Sequence, residues 1–181
     1  MPRTGSAPRS HPRSPPCYRR GMPRTDTASR PIAATPAEVY RAFVDPRLLL
    51  AWLPPQGMRG SFERFDATPG GGYRMTLAYE NTGEPGRAPR GKTTDATDVV
   101  EARFVELVAG ERVVQEIDFV SDDPAFAGTM LMTWRVREDP ATPGGSIAEI
   151  RAERVPSGIS AVEHAVGLAS SLANLARLFA A

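Results

Sequence analysis

The sequence predicts an α+β domain in which a curved antiparallel sheet of about six to seven strands closes around a long C-terminal helix. Three observations carry this expectation. Between Ser61 and Val155, segments with period-two alternation are separated by turn residues, as in successive antiparallel strands. After Ser160 the apolar residues recur at spacings of three and four, which is the period of a helix face. Two helix starts follow the first strand in quick succession, at Thr35-Pro36-Ala37-Glu38 and at Asp45-Pro46.

Taken in order, Arg30 to Ala34 reads as a short strand. Thr35 then caps a helix, Pro36 suits its first position, and Glu38 completes a capping box; Val39, Ala42 and Phe43 form the buried stripe before the helix ends near Val44. Arg47 to Leu53 is a second short helix, mostly apolar, stopped by Pro54-Pro55. Six strands are expected at Ser61–Asp66, Tyr73–Tyr79, Val99–Leu107, Arg112–Val120, Thr129–Arg137 and Ile147–Val155. Tyr73, Met75, Leu77 and Tyr79 share one face, as do Met130, Met132, Trp134 and Val136, so one side of the sheet is apolar. Gly70-Gly71-Gly72, the long stretch Asn81 to Asp98, and Thr142-Pro143-Gly144-Gly145 are turns and loops. Ser160 and Glu163 open the last helix with a second capping box. Ala165, Leu168, Leu172, Leu175 and Phe179 form its apolar stripe, beside a face of mostly small residues: Val162, Val166, Ala169, Ala173 and Ala176. This order is a helix-grip arrangement.

Composition narrows the function classes. The chain has 181 residues, 41% of them hydrophobic, which suits one globular domain with some excess. Lys plus Arg total 22 against 21 Asp plus Glu, yet residues 1–30 hold seven arginines and one acid, leaving 15 basic and 20 acidic groups after them. The domain is therefore mildly acidic and offers no basic patch to release counterions from phosphates, so nucleic acid is not an expected partner. Residues 1–29, rich in Pro, Arg and Ser, are expected to be a disordered basic tail, and residues 30–181 the domain. Met1–Thr4 and Met22–Thr25 both spell MPRT, which makes Met22 an alternative start. The only cysteine, Cys17, forms no framework, and no apolar run approaches a membrane span; a cytoplasmic location is the expectation.

The run Ala34-Thr35-Pro36-Ala37-Glu38-Val39-Tyr40, then Asp45-Pro46-Arg47, Trp52 and Pro69-Gly70-Gly71-Gly72-Tyr73-Arg74-Met75, and the ending from Val155-Pro156 through His164 and Gly167 to Leu172 and Leu175, resembles the START-like (SRPBCC) superfamily. Within it, the chain is similar to the Aha-type branch, named for homology to activators of a heat-shock chaperone ATPase. The resemblance covers roughly residues 29–181. It implies a Bet v-like helix-grip fold with a cavity between sheet and closing helix that holds a hydrophobic small molecule in many relatives. Fold alone does not assign an activity.

If such a cavity exists, its walls are the apolar sheet face and the inward side of the last helix: Tyr73, Met75, Phe104, Ile117, Met130, Met132, Trp134, Leu168 and Leu172, with Trp52 near the mouth. The same residues could equally interdigitate as a filled core. His164, the one histidine of the domain, joins this list as a group able to orient a ligand carbonyl or take a proton. Arg74, Glu101, Arg103, Gln115 and Asp118 are polar strand residues, any of which could meet a ligand's polar end or simply face solvent. No catalytic residue, metal or cofactor is assigned, since nucleophile motifs, a phosphate loop and paired metal ligands are all missing from the sequence. Three functions follow: binding of a small hydrophobic ligand; an enzyme resembling polyketide cyclases or dehydrases that positions substrate with Arg74, Tyr73 or His164; or a module that acts on a chaperone.

Overall fold

Strand β1 spans Thr25–Ile32 and starts five residues before the expected Arg30, inside the segment read as a tail. Low hydrophobicity argued against order there, but the backbone ladder supplies what the side chains do not: β1 pairs antiparallel with the strand Ser146–Glu153 along its whole length, from Thr25↔Glu153 to Ile32↔Ser146. The lone proline of β1, Pro31, is tolerable because β1 is a sheet edge. The computed structural model describes residues 24–80, 93 and 97–180. Most of the expected tail, the MPRT repeat as far as Pro23, and nearly all of the expected Asn81–Asp98 loop lie outside the described residues.

Helices α1 (Pro36–Val44) and α2 (Pro46–Trp52) form as the sequence predicts. The Thr35 hydroxyl accepts the Glu38 N–H at 3.4 Å while the Glu38 carboxylate accepts the Thr35 N–H at 2.8 Å, so two end donors are satisfied by one reciprocal pair. Asp45 ends α1 and caps α2, taking the N–H groups of Arg47 and Leu48 at 2.9 and 3.3 Å.

The sheet continues with β2 (Met58–Asp66), β3 (Gly72–Tyr79), β4 (Thr97–Val108), β5 (Arg112–Phe119), β6 (Met130–Glu138) and β7 (Ser146–Glu153). Its order is β1-β7-β6-β5-β4-β3-β2, every neighbouring pair antiparallel. Bulges at Phe62/Arg64 and Phe104/Glu106 shift the register and add curvature. Thr97 and Asp98, expected at the end of a loop, are the first residues of β4.

Helix α3 (Ala161–Leu178) lies against β1, β7 and α2. Ser160 caps it by accepting the Glu163 N–H at 3.4 Å, but the return half of the expected capping box is not formed. Of the expected stripe, Leu168, Leu172 and Leu175 are buried and Phe179 is half-buried; Ala165 is exposed, and Ser171 joins the inward face. Hydrogen bonding accounts for Ser171. Ser171 donates to the Leu53 carbonyl at 2.7 Å, and the Asn174 amide donates to Pro54 at 2.8 Å and to Trp52 at 3.3 Å. Three polar residues of α3 therefore serve the end of α2 and the turn that follows it, because Ser170 also accepts the Gln56 N–H at 2.8 Å.

Candidate functional site

The inner face of the sheet carries two aromatic clusters. Under α1 and α2, Phe43, Trp52 and Trp134 meet with ring centroids 5.1 to 5.8 Å apart. At the β2–β4 end, Phe62, Phe65, Tyr73 and Phe104 form the second, with centroids 5.0 to 6.1 Å apart. These rings interdigitate as a packed interior. Trp52, expected at the mouth of a cavity, is fully buried, and its indole N–H donates to the Ala42 carbonyl at 2.8 Å.

Of the other expected ligand residues, Tyr73, Met75, Phe104, Ile117, Met130, Trp134, Leu168 and Leu172 are all buried, and Met132 is half-buried on the same strand. Two open depressions lie elsewhere. One, of about 390 Å³, sits beside Arg64, Asp66, Glu101 and Arg103; the other, of about 470 Å³, runs along Val166, Ala169 and Ala173 with Arg30 and Arg177 at its rim.

Gln115 lies midway along this face. It alternates with Val113 and Ile117 on β5, and the register sets it opposite Phe104 on β4 and Met132 on β6. The residue has no solvent exposure, and neither its amide nitrogen nor its amide oxygen has a hydrogen-bond partner of good geometry. Trp134 Nε1 is likewise buried and unpaired. Gln115 does approach the Tyr73 hydroxyl; burial pushes that phenol far above its ordinary value, and the Gln115 contact offsets only part of the rise. Burial thus favours the neutral hydroxyl of Tyr73.

The remaining polar strand residues are ion-paired or bonded outside this interior. Arg74 bonds Glu101 and reaches Glu63 at 3.0 Å, Arg64 reaches Glu101 at 2.6 Å, Arg103 meets Glu116 at 2.5 Å, and Asp118 accepts from Thr129 at 2.8 Å. Arg74 therefore sits on the opposite side of β3 from Tyr73, as the alternation of the strand requires. Arg74, Tyr73 and His164, each weighed as a substrate-positioning residue, lie in separate settings: Arg74 in an ion pair, Tyr73 in the buried aromatic cluster and His164 on α3.

His164 stands apart from the aromatic interior. Its Nδ1 lies 2.7 Å from Asp26 Oδ2, and Asp26 also accepts from Arg24 Nε at 3.0 Å, while Arg24 Nη1 donates to the Ile159 carbonyl at 2.6 Å. The side chains of His164 and Asp26 are 13% and 15% exposed, so water competes weakly with this bond. Burial alone would raise the Asp26 carboxyl, but the bonds from His164 and Arg24 hold it below the usual carboxylate range. Sequence reasoning missed Asp26 because it sits in the segment read as a tail.

A carboxylate held low in the folded state stabilises the fold above its unfolded pKa of about 4, and that contribution is lost as pH falls through the lower folded value. Asp26→Asn is expected to cost about 2 kcal/mol at pH 7, with the difference from the native protein shrinking below pH 4. Urea unfolding from pH 7 to pH 2.5 checks this; a difference that stays constant with pH would contradict it.

Residues 33–180 match the family described as Activator of Hsp90 ATPase homolog 1-like protein. The chain belongs to this family. The Aha-type assignment accords with the helix-grip architecture, and the match spans nearly all of the sheet and all three helices. A crystal structure of a protein from Chromobacterium violaceum is 29% identical, with a TM-score of 0.69, covering 87% of this chain and 98% of that one. A solution structure of a protein from Arthrobacter aurescens (13% identity, TM-score 0.68, 86% and 85% covered) and a crystal structure from Mycobacterium smegmatis (15%, 0.63, 87% and 91%) share the fold of this Aha-type domain. No curated protein matches the chain. Among the described residues no helix is long and apolar enough to cross a membrane, and no cluster of potential metal ligands occurs.

Proposed function

We propose that this Aha-type domain is a cytoplasmic binding protein for a small hydrophobic molecule, which enters between the inner sheet face and α3. The observation that supports the reading most directly is Gln115: a fully buried amide that reaches the Tyr73 hydroxyl without a bond of good geometry carries hydrogen-bonding capacity that a core has no need of and a ligand can use. Met75, Met130 and Met132 on the same face give that interior side chains that can re-pack around a guest. Native mass spectrometry of the full chain, purified without detergent and compared with its denatured mass, tests the reading. A non-covalent adduct of small-molecule mass is the expected result. An adduct-free protein whose melting temperature is also unmoved by a panel of small hydrophobic compounds would overturn it.

A second reading, action on a chaperone, draws on the family description and on Val162 and Val166, which are 75% and 64% exposed on α3. An unchanged ATPase rate of an Hsp90-type chaperone at saturating domain would dispose of it.

A further inference from the structure

We propose that the outward face of α3 is the contact surface for a second copy of this chain, the two helices lying antiparallel about a two-fold axis near Ser170. The two most exposed large apolar side chains among the described residues are on this face: Val162 and Val166, 75% and 64% exposed. With Ala169, Ala173 and Ala176 they recur at spacings of four, three, four and three, the seven-residue repeat of a helix whose seam meets another helix. Leu168, Leu172 and Leu175 form a separate stripe that is already buried in the core, so the outward seam is not the edge of that packing.

Charge selects the occupant. Glu163 flanks the start of the seam and Arg177 its end, two repeats later, so both hold the same position of the repeat. Both are exposed, and among the described residues neither forms an ion pair. Arg30 and Arg177 line one depression, which makes the far end of the face doubly cationic. In an antiparallel pair, equivalent flanking positions of the two helices meet. Each Glu163 then comes against the second copy's Arg177, Val166 lies over Ala176, and Ala169 lies over Ala173, so that the larger side chain of a pair faces a small one. A parallel pair would instead set like charges together and align the two helix dipoles. The chain's own remaining segments fit poorly: residues 1–23 carry five arginines and no acid, and residues 81–92 carry three cations against one acid, where the face already presents Arg30 and Arg177.

One helix pair of about 27 Å is short of a standard interface, so a reversible dimer with a dissociation constant of about 10–100 µM is expected. Sedimentation equilibrium of the full chain across that range tests it. Val166→Glu should weaken association about tenfold or more, because the new carboxylate would be desolvated against Ala176 of the second copy; Ala169→Lys, at another exposed position, serves if that variant does not fold. Arg177→Glu should weaken it about threefold, and Glu163→Arg combined with Arg177→Glu should restore it, since the exchange recreates both ion pairs only in the antiparallel arrangement. A chain that stays monomeric at the highest concentration would overturn the proposal and leave this face free for the chaperone reading. A dimer unaffected by Val166→Glu and Ala169→Lys would also overturn it, as would one that ignores Arg177→Glu or is not restored by the double exchange. None of these substitutions touches the inner sheet face, so the ligand-binding reading stands or falls separately.

Discussion

Trp52→Ala is expected to destabilise the domain by about 3–5 kcal/mol, in the range for large-to-small aromatic changes at fully buried sites. Two losses combine. The indole leaves the packed cluster with Phe43 and Trp134, at centroid distances of 5.7 and 5.1 Å, where the surrounding helices and sheet cannot fully collapse into the gap. Its N–H also leaves the Ala42 carbonyl, one of the last-turn acceptors of α1 that has no partner further along that helix. Trp52→Phe isolates the second loss, because it keeps most of the packing and removes the donor; it should cost roughly 1–2 kcal/mol. Urea denaturation of the two variants separates the terms. If alanine costs no more than phenylalanine, the packing argument is wrong.

Gly72→Ala should cost about 3 kcal/mol or more, for a different reason. A Cβ at this position would lie 2.0 Å from the Ala102 carbonyl oxygen, which is backbone of the neighbouring strand and cannot swing aside. The β3–β4 ladder would have to part just where Tyr73 enters the inner face. Gly70 provides the control. It has φ of 83° with nothing within 4 Å of the place a Cβ would take, so Gly70→Ala meets only the left-handed backbone penalty of about 1 kcal/mol. Thermal unfolding of both variants gives the comparison, and equal losses would show that close approach is not what Gly72 provides.

Much of this architecture is legible in the chain because local rules and tertiary demands agree. Thr35-Pro36 and Asp45-Pro46 cap their helices as their residue types predict, and the alternation around Tyr73 and Trp134 assigns the inner face correctly. The errors occur where a long-range partner decides. Thr25–Ser29 lack an apolar pattern, and their order comes from a strand more than a hundred residues away and from His164. Ser171 faces inward although its polarity argues for the surface, because the Leu53 carbonyl just after α2 accepts its hydroxyl. Gln115 was within reach of the sequence: it shares parity with Val113 and Ile117, whereas the charged residues of β5, Arg112, Glu116 and Asp118, fall on the other parity. What no pattern could show is that its amide reaches only the Tyr73 hydroxyl and without good geometry, since that depends on where neighbouring strands place their side chains.

The bond between Asp26 and His164 joins the first strand to the last helix across 138 residues of chain. Together with the β1–β7 ladder it gives the domain a high contact order, which predicts folding on a scale of milliseconds to seconds rather than microseconds. During synthesis, β1 leaves the ribosome long before β7 and α3 exist. At an elongation rate of roughly 5–20 residues per second it waits for many seconds with its backbone donors and acceptors facing water. A polar strand that contains proline is well suited to that interval, because it gives other nascent chains little to adhere to. The weak hydrophobicity that conceals β1 in the sequence thereby protects it until its partners arrive.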